Sequence, residues 1–129
     1  MKKPRLPKPT DAELSILRVL WRRGPSTVRQ VFEELTPAQS IGYTTVLKLM
    51  QIMVEKGILQ RDDTERSHVF EATLAEEETQ RQLVGHLLER AFAGSAHKLV
   101  LQALSAKKAS RAELAEIRKL LKQMEGEAG

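Results

Sequence analysis

The chain contains no cysteine. That excludes disulfides, thiolate chemistry and cysteine-ligated zinc, and it fits a reducing, cytoplasmic compartment. Aromatic residues make up only 4% of the sequence, so any core must be built from aliphatic side chains. No apolar run approaches the roughly 18 residues of a membrane-spanning helix. His68, His86 and His97 have no metal-ligand spacing, so no metal site is expected. There is no nucleophile motif and no phosphate-binding glycine loop. Acids such as Glu76-Glu77-Glu78 sit where the first turn of a helix favours negative charge. Neither an enzyme nor a cofactor is expected.

What is present is ordinary globular material, 41% hydrophobic and 29% charged in 129 residues, enough for one domain or two small ones sharing a function. The net charge of +4 is unevenly placed. Lys2, Lys3, Arg5 and Lys8 give residues 1–9 that whole excess, with no acid among them. Pro4, Pro7 and Pro9 block a helix there and favour an extended, flexible basic arm. Such an arm could lie along DNA or serve as a solubilising tail. It lacks the apolar stretch of a signal peptide.

Helix punctuation follows. Thr10 and Glu13 form a capping-box pattern before Leu14, Ile16, Leu17, Val19, Leu20 and Trp21, and Gly24-Pro25 closes that helix. Trp21 continues the apolar face, so it reads as core. Thr27 and Gln30 repeat the pattern before Val28, Val31, Phe32 and Leu35. Residues 36–40 are a loop broken by Pro37.

Residues 42–59 carry the functional signal. The spacing predicts a helix over 43–56 with Val46, Leu49, Met50 and Met53 as its buried stripe. Thr44, Lys48, Gln51 and Glu55 point the opposite way at 100° per residue. Small hydroxyls, an amide and a lysine suit base edges and phosphates, as a DNA-recognition helix requires. The expected contacts are Thr44, Thr45, Lys48 and Gln51, with Tyr43 on phosphate and Leu47 and Ile52 beside thymine methyls. Gly57 is expected to end the helix in the left-handed conformation.

The period then changes. Residues 58–61 and 68–72 read as two short strands around the polar turn 62–67. A hairpin directly after a recognition helix is the wing of a winged helix. Arg61 and Arg66 sit where a wing meets the DNA backbone, and Asp62, Asp63 and Glu65 dilute their charge. Wing contacts should therefore be few.

The remaining chain is helical. Thr73 and Glu76 make a third capping-box pattern, Gly94-Ser95 a break, and Ser110 and Glu113 a fourth box. Leu83, Leu87, Leu88, Leu99, Leu114, Ile117 and Leu121 lie on apolar stripes that about fifty residues cannot enclose by themselves. Burial against a second copy is the simplest solution. The expectation is a mainly α protein with a small β-hairpin. It would comprise a flexible arm (1–9), a winged helix-turn-helix domain (10–73) and a C-terminal helical dimerisation domain (74–129).

The order of helices, Trp21 late in the first, the Tyr43-Thr44-Thr45-Val46 start and Glu55-Lys56-Gly57-Ile58-Leu59 end of the third, and the helical tail resemble the penicillinase and methicillin-resistance repressors. The resemblance covers about residues 9 to 124. It implies a homodimeric repressor on a palindromic operator, an antibiotic-resistance regulator whose partner is a membrane sensor protease that cuts the dimerisation domain. The best-known members carry an Asn-Phe scissile bond in a Leu-Val-Leu-rich helix. Here Gln102-Ala103 follows Leu99-Val100-Leu101, so the same cut is not expected. A copper-responsive branch uses cysteine pairs, which are absent. The alternative from another class is a winged-helix protein-interaction module that does not bind DNA, since the charge outside the arm sums to zero.

Overall fold

A computed structural model describes residues 8–64 and 66–128. The order is α1 (Asp11–Arg23), α2 (Val28–Leu35), α3 (Tyr43–Glu55), β1 (Leu59–Asp62), β2 (Val69–Ala72), α4 (Glu76–Ala91), α5 (Ala96–Ala106) and α6 (Arg111–Ala128). The basic arm lies outside the described residues except for Lys8, which is exposed, and Pro9, which is buried.

Reciprocal side-chain to backbone exchange starts three of the helices. The Thr10 hydroxyl accepts from the Glu13 N–H at 3.2 Å while the Glu13 carboxylate accepts from the Thr10 N–H at 2.9 Å. Thr27 with Gln30 and Ser110 with Glu113 do the same. The box expected at Thr73 does not form. The Thr73 hydroxyl donates to the Gly57 carbonyl at 2.6 Å and its N–H to the Ile58 carbonyl at 3.1 Å. Both groups thus extend the pairing of the hairpin, and α4 starts later, with Ala75 accepting the first helical bond from Thr79. Glu76, Glu77 and Glu78 then face the positive end of the helix dipole.

The end of α3 sets the start of the wing. Gly57 takes φ 84°, its N–H bonds to the Val54 carbonyl at 3.0 Å, and the Ile58 N–H reaches back to the Met53 carbonyl at 3.0 Å. This double closure needs a left-handed residue, which glycine supplies at little cost. It also takes the Ile58 N–H for the helix. The first strand consequently begins at Leu59 and not at Ile58, and β2 begins at Val69, leaving His68 in the turn.

The strands pair antiparallel with Leu59 opposite Ala72 and Arg61 opposite Phe70. Ser26, between α1 and α2, exchanges both backbone hydrogen bonds with Phe70, at 3.0 and 2.8 Å. The wing is thereby stitched to the helical core. That core is aliphatic as expected: Ile16, Leu17, Val31, Val46, Met50, Met53 and Ile58 have no exposed surface, and Phe70 is the aromatic residue buried with them. Trp21 packs against this core half-buried and donates its indole N–H to the Leu74 carbonyl at 2.9 Å.

The chain divides into two compact units at the Val84–Gly85 junction, inside α4. The first unit is the winged helix. In the second, α5 has no buried residue, and none of the described side chains of α6 is buried.

The first unit also buries a charge. Glu13 is 1% exposed and its second carboxylate oxygen accepts from Lys56 Nζ at 2.8 Å. Burial pushes this carboxyl up. The Lys56 hydrogen bond, the Thr10 N–H, the Lys56 charge and the Thr10 hydroxyl together outweigh burial and hold it below its ordinary value. The stability it contributes is therefore present above the carboxyl's unfolded value and is lost as pH falls through the lower folded value. Lys56→Met leaves the carboxylate buried and unpaired. At neutral pH it is expected to cost about 3 kcal/mol in urea denaturation, with the penalty shrinking on acidification as Glu13 takes up a proton. An unchanged urea midpoint would show that the pair is dispensable.

Candidate nucleic-acid interface

Burial separates the two faces of α3. Val46, Met50 and Met53 are fully buried, Leu49, expected in the same stripe, is only half-buried against the core, and Thr44, Thr45, Lys48, Gln51 and Glu55 are exposed. Tyr43, at the first helical position, is 38% exposed. Leu47 and Ile52 are half-buried, and Leu47 packs against the core, so only part of each is open to a ligand. The outward face has hydroxyl, ammonium and amide groups over its N-terminal two turns, with its one acid, Glu55, at the far end.

A groove runs beside this face between α2, α3 and the wing, lined among others by Arg29, Tyr43, Gln51, Arg61, Arg66 and His68. Five of the residues expected from sequence, Tyr43, Leu47, Gln51, Arg61 and Arg66, thus meet on one surface, while Thr44, Thr45 and Lys48 do not line it. The wing cations are partly committed within the protein. Asp63 holds Arg61 Nε at 2.9 Å and His68 Nδ1 at 2.6 Å, both on the same carboxylate oxygen. The neighbouring Asp62 is turned to the Thr64 backbone N–H at 2.9 Å. That N–H and the Thr64 hydroxyl keep its carboxyl below the ordinary range and therefore ionised. The dilution of wing charge inferred from composition has a specific geometry: one aspartate bridges Arg61 and His68.

Sequence reasoning missed Arg29. Its guanidinium carbon lies over the Tyr43 ring, 5.2 Å from the centroid. Phe32 contacts the same ring edge-on, with centroids 5.7 Å apart and planes at 82°. No local pattern marks Arg29, because its partner sits on the next helix. The only signal in the sequence was a lone arginine early in a helix whose first turn has no acid.

Among the residues expected to close a dimer, Leu87, Leu114 and Leu121 are 49%, 39% and 52% exposed. Leu83, Leu88, Leu99 and Ile117 are half-buried. Val100, Leu101, Leu104, Leu120 and Met124 are exposed as well, Met124 at 57%. Among the described residues no cluster of metal-ligating side chains occurs. No helix among them is long and apolar enough to cross a membrane.

Residues 9–123 match the family model described as penicillinase repressor. The chain is 24% identical over 119 residues to the penicillinase repressor of Bacillus licheniformis, spanning 92% of this chain and 93% of that protein. It is 34% identical over 61 residues to the transcriptional regulator BlaI of Mycobacterium tuberculosis (strain ATCC 25618 / H37Rv), covering 46% and 44% of the two chains. Among solved structures, the DNA-binding domain of the repressor BlaI superposes with a TM-score of 0.51 at 22% identity. It covers 59% of this chain and 93% of that one, a likeness of fold.

The Asp63 bridge generates a test. Asp63→Asn removes the charge that Arg61 and His68 share, leaving Arg61 free for phosphate. Exposed ion pairs are worth up to about 1 kcal/mol, so duplex affinity is expected to rise by up to about fivefold at low salt. The dependence on salt should steepen by about 0.9 for each additional phosphate neutralised. Equal affinity and equal salt dependence, measured by anisotropy titration, would show that the wing stays clear of the backbone.

Proposed function

The chain belongs to the penicillinase repressor family, and from that premise we propose that it represses transcription as a homodimer whose two α3 helices read a palindromic operator. The observation that carries this reading is the division of α3 into a fully buried stripe and an exposed polar face, with a groove lined by Arg29, Arg61 and Arg66 beside it. In this reading Thr44, Thr45, Lys48 and Gln51 contact the DNA directly, Lys48 through a guanine or a phosphate. Tyr43 positions phosphate, the exposed parts of Leu47 and Ile52 meet thymine methyls, and Arg61 and Arg66 touch the backbone.

The roles of Lys48 and Gln51 separate experimentally. Gln51 can make two hydrogen bonds to adenine, so Gln51→Ala is expected to cost about 1–3 kcal/mol on the operator and much less on random duplex. Lys48→Ala distinguishes base from backbone: reduced specificity means a base contact, a uniform weakening means phosphate. Both residues are exposed, so the fold should survive substitution. Mapping of bound DNA supplies the operator. Wild-type affinity and specificity in both variants would remove α3 from the interface.

The dimer reading rests on apolar surface that a single protomer leaves in water. Leu87, Leu114, Leu120, Leu121 and Met124 are each more than a third exposed, and large apolar side chains exposed in such number on the C-terminal helices suit an interaction surface. A second copy supplies a matching surface and, by symmetry, a second recognition helix at a fixed distance. Leu83, Leu88, Leu99 and Ile117 would flank that interface. Since Leu121 is open in the protomer, Leu121→Asp is expected to spare the monomer's fold. A carboxylate buried in the interface should nevertheless weaken association by several kcal/mol. Sedimentation should then find monomers, and operator affinity should collapse. A persistent dimer would move the interface elsewhere.

A sensor protease as the inducing partner would need a bond other than Asn-Phe, since Gln102 and Ala103 stand at that place in α5.

A further inference from the structure

We propose that Arg29, held over the Tyr43 ring, is a phosphate-gripping residue that fixes the register of α3 on the duplex. The proposal rests on the DNA-binding reading above and adds to it a residue from the preceding helix. Three arginines of the winged unit are committed to carboxylates, Arg22 and Arg23 to Glu34 and Arg61 to Asp63, while Arg18, Arg66 and Arg81 are in no ion pair among the described residues. Among the described residues Arg29 is in no ion pair, although it is exposed and lies on the groove beside α3. Glu33, one turn further along α2, lines the same groove without pairing with it.

The ring contact leaves the hydrogen-bonding capacity of Arg29 free. A guanidinium over an aromatic face is held by the ring quadrupole, while its N–H groups remain open to a planar or tetrahedral anion. Arg29 is therefore oriented in advance without being neutralised. Its platform is itself fixed, because Phe32 contacts the Tyr43 ring edge-on and Tyr43 is the first residue of α3. A phosphate gripped there would be tied to the N-terminal end of α3, next to Thr44 and Thr45. The occupant that fits a free guanidinium at the rim of a groove holding further cations, Arg61 and Arg66, is the sugar-phosphate backbone of one DNA strand.

The test uses the full chain and two probes, a mixed-sequence duplex and a duplex carrying a site selected from a random pool by the wild-type protein. Arg29→Ala is expected to weaken both by a similar factor, about five- to tenfold at low salt. The salt slope should fall by about 0.9 for each phosphate no longer neutralised. Arg29→Lys keeps the charge but not the ring-held fork, and should recover the slope more fully than the affinity. Combining Arg29→Ala with Tyr43→Ala should weaken binding by less than the product of the single effects, since the platform acts partly through the arginine. Unchanged affinity and slope in Arg29→Ala overturn the proposal. So does a weakening confined to the selected site, which would mean base readout. If the wild-type protein binds neither duplex, the DNA-binding reading falls and this proposal with it. If the wild type binds both and only Arg29→Ala is without effect, the reading stands and the proposal alone is wrong.

Discussion

A buried glutamate governs the geometry of the winged unit. Glu13 belongs to the first turn of α1, where its position is set by the exchange with Thr10. Lys56 closes the other end of the pair from the C-cap of α3. A carboxylate withdrawn from water is tolerated only when its partners stay in place, so the end of α3 cannot drift from the start of α1 without exposing or stranding a charge. At the opposite end of α3, Tyr43 lies against Phe32 and Arg29 of α2. Between the two anchors, Val46, Met50 and Met53 bury the inner stripe completely. The outward residues of α3 are thus carried by a helix restrained at both ends and along its length, the condition for side chains to meet a rigid partner in register.

Much of this was legible because it is local. Thr10, Thr27 and Ser110 each announce a helix through a partner three residues on, and Gly57 announces a left-handed stop. Thr73 shows where such reading ends. Its residue pattern is the same, but the carbonyls of Gly57 and Ile58, brought close by the fold, take its hydroxyl and N–H first. The later start of β1 has a similar origin in the closure of α3, which takes the Ile58 N–H. Glu13 was visible as a cap and invisible as a buried ion, since Lys56 is 43 residues away. Arg29 was missed for the same reason: its value lies in a ring on another helix. The C-terminal leucines were legible as apolar stripes. The sequence could not rank them, because exposure in the protomer depends on how each helix rolls against its neighbours.

Charge placement explains how a protein with a net charge of only +4 can still address a polyanion. Two acids of the winged unit tie down basic side chains: Glu34 holds Arg22 and Arg23, and Asp63 holds Arg61 and His68 on the wing. What remains unpaired near α3 is local and oriented. Weak general attraction with a few well-held contacts favours discrimination between sequences over tight binding to any duplex.

The position of Trp21 has an optical consequence. The sequence holds one tryptophan and one tyrosine, and both lie in the winged unit. The Trp21 indole is hydrogen-bonded to Leu74 at the junction of β2 and α4, and the Tyr43 ring sits at the head of α3. Intrinsic fluorescence excited in the near ultraviolet therefore arises entirely from side chains before Val84. Emission from the indole watches the seam between α1 and the wing, and the phenol watches the surface beside the groove. The molecule carries its own pair of site-resolved reporters, with no label to attach and no thiol to mask.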